Sequence, residues 1–95
     1  MIIQDNVWHL YVGADNFTGE VNQKILRATL ESEVDGYTLI ETAGYYLGRH
    51  EPSVVVVLNE SEGTVRRIAK RLADYLNQDS IGIVRISKHE MEFIS

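Results

Sequence analysis

The sequence contains no cysteine, which excludes disulfide bonds, thiolate metal sites and cysteine nucleophiles from this chain. Such a composition suits a reducing compartment. Long apolar runs are also absent, because the longest covers only residues 54–58 and is far too short to span a bilayer. The first ten residues, MIIQDNVWHL, have no basic region followed by an apolar stretch, so no signal peptide is expected. These absences predict a soluble, cytoplasmic protein with no membrane partner.

Positive charge is scarce: nine lysines and arginines stand against 14 aspartates and glutamates, and the net charge is −5. Cationic side chains supply most of the affinity for nucleic-acid phosphates, so no nucleic-acid partner is expected. Four of the cations are clustered at Arg66, Arg67, Lys70 and Arg71. We expect them to form a solvated helix face, although a protein partner or a small anionic ligand is compatible with this charge distribution.

The apolar patterns predict four strands and two helices in a single domain of residues 1–95. A chain of 95 residues with 44% hydrophobic side chains can bury one core. Alternating or continuous apolar segments predict strands at residues 7–12, 37–47, 53–58 and 81–86. Helical spacing predicts a first helix over about residues 21–34, capped near Thr18, and a second that begins at Asn59 or Ser61. Residues 87–95 are expected to extend the last strand or to form a tail.

Residues 48–52 (GRHEP) are predicted to form the loop of a β-hairpin between the second and third of these strands. Proline cannot donate to a β-ladder, so Pro52 is expected at the entrance of the third strand and not inside it.

This order of elements, βαββαβ, predicts an α+β fold of the ferredoxin-like type, a four-stranded antiparallel sheet with two helices on one face. The other face of the sheet is then uncovered. In the second strand, Tyr37, Glu41, Tyr45 and Leu47 share one side, whereas Thr38, Ile40 and Thr42 share the other. Because neither side is polar throughout, we expect the uncovered face to be buried against another subunit in a homo-oligomer.

Few residues are arranged for catalysis. His9, His50 and His89 share no metal-ligand spacing, and no cofactor-binding motif is present, so neither a metal nor a cofactor is expected. An RNA-recognition domain has the same order of elements, but its third strand carries stacking aromatics, and SVVVVL has none. Glu41 is a lone carboxylate in an apolar strand and lacks a paired base. The sequence therefore predicts a protein that is not an enzyme.

Aromatic and basic side chains are concentrated in residues 44–50 (GYYLGRH). Aromatic rings stack on planar bases, and arginine binds phosphate through a bidentate fork. Tyr45, Tyr46, Arg49 and His50 are therefore candidate ligand-binding residues for a small anionic, nucleotide-like ligand. In the alternative interpretation, the tyrosines are strand-forming residues at a contact between subunits.

Four short segments resemble those of a group of small phage and bacterial proteins: residues 12–13, 36–38, 44–46 and 76–80. That group resembles the phage anti-Thoeris sponge proteins, which sequester a cyclic ADP-ribose isomer made by a bacterial immune system. The resemblance implies a non-catalytic oligomer that holds a signalling nucleotide between subunits. It also implies that Tyr45, Tyr46, Arg49 and Arg85 contact the phosphates and the adenine.

Two alternative functions are compatible with the sequence. The chain could be an acidic protein-interaction module, such as a phage inhibitor that binds a host protein. It could also be a small dimeric enzyme with Glu41 or His9 in an apolar pocket.

Overall fold

The computed structural model describes residues 2–4, 6–86 and 89–91. Its elements, in chain order, are β1 (Ile2–Gln4), β2 (Val7–Val12), α1 (Gln23–Glu33), β3 (Thr38–Tyr46), β4 (Arg49–Asn59), α2 (Glu62–Tyr75), β5 (Gly82–Ile86) and β6 (His89–Met91). Neither helix of the described ranges is long and apolar enough to cross a membrane.

Four strands form one antiparallel sheet in the order β3-β4-β2-β5. Strand β2 lies in the middle, where Leu10 is opposite Val56 of β4 and Ile83 of β5. Both helices pack on one face of this sheet, which confirms the predicted ferredoxin-like α+β fold. Strands β1 and β6 pair in a separate two-stranded sheet, with Ile2 opposite Met91. The sequence patterns did not predict this second sheet.

The helices begin at polar caps that satisfy their first free N–H groups. In α1 the side chain of Asn22 accepts a hydrogen bond from the Ile25 N–H at 3.1 Å, so the cap expected near Thr18 is wrong. In α2 the cap is Ser61, the second of the two predicted candidates, and its side chain accepts from the Thr64 N–H.

The core lies between the helices and the face of the sheet that they cover. The amphipathic pattern of α2 is confirmed, since Val65, Ile68 and Leu72 are all fully buried. The other elements contribute to this core Trp8, Leu10 and Val12 of β2, Leu26 and Leu30 of α1, and Val54, Val56 and Leu58 of β4.

The β3–β4 hairpin is longer than predicted. The five-residue loop at residues 48–52 is wrong, because β3 and β4 stay paired up to a two-residue turn at Leu47 and Gly48. Both turn residues have positive φ, 50° and 78°, as a tight hairpin turn of this kind requires. Pro52 lies inside β4, opposite Ala43 of β3, and not at the strand entrance.

This hairpin projects from the sheet. Strand β2 ends opposite Val54, so β4 runs five residues further to Arg49 with β3 as its partner. At roughly 3.4 Å per residue, the projection is about 17 Å long. The molecule has an elongated outline of 43 × 28 × 20 Å.

Candidate ligand and subunit interface

The sheet face opposite the helices carries no Asp, Glu, Lys or Arg over its four-stranded part. Strand register and side-chain alternation place thirteen residues there, which we call the open face: Val7, His9 and Tyr11 of β2; Thr38, Ile40 and Thr42 of β3; Ser53, Val55, Val57 and Asn59 of β4; and Gly82, Val84 and Ile86 of β5. Since 24% of the chain is charged, the lack of charge on this face is a specific property of it.

Several large apolar side chains of the open face are in contact with solvent. Tyr11, Ile40 and Val84 are 48%, 46% and 44% exposed, respectively. A contiguous exposed apolar surface of this kind is typical of a face that binds another macromolecule. At one end of the face, a cleft of about 580 Å³ extends beside His9 and Val57 to the loop that precedes β3.

The structure brings together two of the predicted ligand-binding residues at the hairpin tip. Tyr45 is opposite His50 in the β-ladder, and their rings lie 5.0 Å apart between centroids at an interplanar angle of 59°. Arg49 is the neighbour of His50 in the strand and is opposite Tyr46 in the register. Tyr45, His50 and Arg49 are all exposed at the end of the projection. Tyr45 and His50 share one face of the hairpin, whereas Arg49 points to the other face, because successive residues of a strand alternate.

Arg85 is not part of that group within one chain. It lies on β5, at the far edge of the sheet, with β2 between it and the β3–β4 hairpin. Its guanidinium carbon is 5.7 Å from the ring centroid of Trp8, within the range of a cation–π contact. A site that includes both Arg85 and the hairpin tip would therefore need residues from two copies of the chain.

Glu41 and His9, the residues considered for an enzymatic site, lie on different faces of the sheet. His9 is half-buried on the open face, whereas Glu41 is exposed on the side of the helices, opposite Val54. One chain therefore does not bring this acid and this base together. In the described ranges, no group of three or more His, Asp or Glu side chains could hold a metal ion.

The cations of α2 are largely engaged in ion pairs inside the chain, which the sequence spacing did not indicate. Arg67 donates to the Glu33 carboxylate at 3.0 Å, and Arg71 donates to the other oxygen of the same carboxylate. The Glu33 side chain is only 8% exposed, so this contact joins the end of α1 to α2. Arg66 pairs with Glu62 one turn away. These contacts partly neutralise the basic cluster.

The loop between β2 and α1 presents a fully exposed aromatic ring that sequence reasoning missed. Phe17 is 86% exposed, yet its loop is held by several hydrogen bonds. The Asp15 carboxylate accepts from the Phe17 N–H at 2.7 Å and from the Asn77 side chain at 3.0 Å, and Gln78 donates to the Ala14 carbonyl at 2.7 Å. The hydrogen bond from Asn77, followed by that from the Phe17 N–H, lowers the pKa of Asp15.

Comparison with known proteins shows the fold. CutA1 from Pyrococcus horikoshii has a TM-score of 0.57 and 16% identity, over 90% of this chain and 86% of that one. The divalent ion tolerance protein CutA1 from Ehrlichia chaffeensis has a TM-score of 0.53 and 13% identity, over 93% and 86%. Neither is named as a sponge protein. No family model and no curated protein sequence matches the chain.

Proposed function

We propose that this protein is a non-catalytic, homo-oligomeric ligand-binding module in which the open face is buried between copies of the chain. The observation that carries this proposal is the absence of charged side chains on an exposed apolar face. An uncharged face offers no electrostatic complement to a charged partner, whereas a second copy of the same face matches it in polarity.

Matched isoleucine variants test the assembly. Ile40→Glu places a carboxylate on the open face, and Ile25→Glu makes the same change on the outside of α1, at 38% exposure compared with 46%. Burial of an unpaired carboxylate costs about 3 kcal/mol or more, which is about a hundredfold in Kd. In light scattering after gel filtration, we expect an oligomeric wild type, an oligomeric Ile25→Glu variant and a dissociated Ile40→Glu variant that retains its circular dichroism. A monomeric wild type, or equal behaviour of the two variants, would refute the proposal.

In its more specific form, the module is a phage anti-defence sponge that sequesters a nucleotide-derived immune signal. The exposed Tyr45, His50 and Arg49 at the hairpin tip support this form, because rings and a guanidinium suit a base and a phosphate. Arg85 lies on the helix side of β5 beside Trp8, so it would have to reach this site from another copy through a contact other than the open face.

Native mass spectrometry of the purified protein tests the sponge function. An oligomer with a bound mass of several hundred daltons, lost in Arg49→Ala, is the expected result. A cyclic ADP-ribose isomer at a hundred times its Kd should stabilise the protein by about 2.7 kcal/mol. No shift in the melting temperature with any adenine nucleotide or cyclic signal would exclude this form of the proposal.

The Phe17 loop favours a second candidate, an acidic module that binds another protein. A fixed loop that presents a bare aromatic ring has the properties of a preorganised binding anchor. Asp15 in the loop, and Asp74 and Asp79, which lie near Asn77 and Gln78 in the sequence, suit a partner with a basic rim. The partner would be a host protein that wild type captures at low salt and Phe17→Ala does not. Equal capture by Phe17→Ala and by Tyr75→Ala, the matched control, would rule out the anchor.

A further inference from the structure

His9 is the one side chain among the thirteen of the open face that changes its charge near neutral pH. Histidine ordinarily titrates at about pH 6.5, whereas tyrosine, the other ionisable type on this face, loses its proton only at about pH 10. His9 lies on β2, an inner strand of the sheet, between Val57 of β4 and Val84 of β5. The open face is therefore neutral or positively charged according to the protonation of this one ring.

The neighbours of His9 within the sheet do not stabilise a positive charge. Val57 and Val84 have no hydrogen-bond acceptor in their side chains. The ring of Tyr11 lies 6.4 Å away between centroids at an interplanar angle of 66°, beyond the distance of about 6 Å at which a ring face attracts a cation. His9 is only half-buried in the single chain, so water can solvate an imidazolium there. A second copy over the open face would remove that water.

Three further titratable groups line the cleft beside His9: Asp35 and Tyr37 before β3, and Glu60 after β4. The Tyr37 hydroxyl donates to Glu31. The ion pairs among the described residues all involve arginines of α2, so neither Asp35 nor Glu60 is paired with the imidazole. Within one chain, a protonated His9 thus depends on water to compensate its charge.

We propose that His9 makes the assembly dependent on pH: copies associate over the open face while His9 is neutral and separate when it is protonated. The inference rests on the assembly described under Proposed function and adds its regulation. In a twofold contact both copies contribute the same patch, so a dimer buries two His9 rings. Protonation would place two unpaired positive charges in an uncharged interface, which is strongly unfavourable. Separation takes up protons, so a falling pH favours the separated copies.

Net charge predicts the opposite trend. At −5 per copy the chains repel one another, and protonation of carboxylates on acidification reduces this repulsion. Bulk charge therefore strengthens association as the pH falls. Dissociation on acidification would have to come from a group inside the contact, and His9 is the group that the open face supplies.

Sedimentation velocity of the full chain at fixed ionic strength, from about pH 8 to about pH 5.5, spans the ordinary titration of histidine and tests the proposal. We expect an oligomeric wild type at the upper end and dissociation below about pH 6.5, with the Kd of a dimer rising by up to about a hundredfold per pH unit because two protons are taken up. His9→Gln is neutral throughout and should stay assembled. His89→Gln, on the separate two-stranded sheet, should dissociate like the wild type.

Dilution calorimetry of the wild type in two buffers with different enthalpies of ionisation counts the protons without any substitution. We expect an uptake that approaches one proton per released copy at about pH 5.5. This measurement keeps the proposal testable if His9→Gln fails to fold or to assemble at the upper end of the pH range.

Four results would overturn the proposal: a wild type that stays assembled at about pH 5.5, tighter association as the pH falls, dissociation of His9→Gln like that of the wild type, or no proton uptake. Tighter association would mean that Asp35 or Glu60 pairs with the imidazolium in the assembly. A wild type that is already monomeric at about pH 8 would refute the assembly itself, which separates failure of the proposed function from failure of its regulation by His9.

Discussion

The contact between Glu33 and two arginines of α2 gives the most direct test of what holds the helices together. Its partners differ in burial: the Glu33 side chain is 8% exposed, whereas those of Arg67 and Arg71 are 51% and 49% exposed. If Glu33 is removed, both guanidinium groups can regain water. If the arginines are removed, a buried carboxylate is left without a partner. The two perturbations should therefore have unequal costs.

The expected magnitudes follow from this asymmetry. Glu33→Gln keeps the shape and loses charge-assisted hydrogen bonds to half-solvated donors, which should cost about 1–2 kcal/mol. Arg67→Met or Arg71→Met alone leaves one guanidinium in place and should cost about 1 kcal/mol each. The double arginine variant leaves the carboxylate unpaired, so we expect it to cost about 3 kcal/mol or more.

Urea unfolding followed by circular dichroism measures these differences, at one protein concentration because assembly shifts apparent stability. Arg66→Met is the control, because its pair with Glu62 is exposed on both sides and should contribute no more than about 0.5 kcal/mol. Introducing Glu33→Gln into the double arginine variant should restore part of the lost stability, since it removes the unpaired charge. If the double arginine variant is no less stable than Glu33→Gln, or if no recovery follows, the reasoning is wrong.

Three further predictions concern the loops and the hairpin turn. Asn77→Ala should raise the pKa of Asp15 toward its ordinary value of 3.8, as a carboxyl NMR titration would show. The pKa of Asp15 in the folded protein lies below its value in the unfolded chain. The ionised Asp15 therefore stabilises the fold fully above about pH 4, and this stabilisation is lost as the pH falls through the folded pKa. An unchanged pKa of Asp15 in Asn77→Ala would contradict the assignment of Asn77 as the main cause. The hydrogen bond to Glu31 raises the pKa of Tyr37, so stability is lost as the pH rises through the folded pKa, and Glu31→Gln should lower that pKa in an ultraviolet titration. Leu47→Asn should stabilise the protein by about 0.5–1 kcal/mol in urea unfolding. Asparagine tolerates the φ of 50° at this position, and the leucine side chain is 83% exposed, so little packing is lost. A loss of stability would show that the leucine packs against another copy.

The regular elements were predictable where a long segment repeats one period. The stripe of α2 and the alternation of β2 each carry enough residues to define which face is buried. The hairpin turn was not predictable, because leucine is not a typical turn residue, although Leu47 adopts a left-handed conformation here. In addition, Gly48 and Pro52 are typical of the two ends of a longer loop, and this spacing favoured the five-residue loop. Strand β1 has three residues, too few for a pattern to emerge.

The open face was predicted to exist, but its composition required the sheet register. Within β3 alone, Thr38, Ile40 and Thr42 could equally have faced the helices. The pairing of Glu41 with buried Val54 shows that Glu41 is on the side of the helices. A cleft of about 360 Å³ between the start of α1, at Gln23, and the base of the hairpin could not be predicted. It depends on where β2 stops relative to the hairpin, a distance across strands that no local sequence pattern encodes.

Pro52 limits how readily the projecting hairpin can pair with strands of other chains. Beyond Val54, β4 has lost β2 as a neighbour, and the edge of a strand without a partner is a template for pairing with foreign chains and for aggregation. Pro52 lies two residues past the last β2 pair and has no N–H to donate to an incoming strand. The one proline in the sequence thus lies on the edge of β4 where a strand of another chain would otherwise pair in line with β2. Pro52→Val would restore an N–H donor at this position and leave the hairpin with an uninterrupted hydrogen-bonding edge.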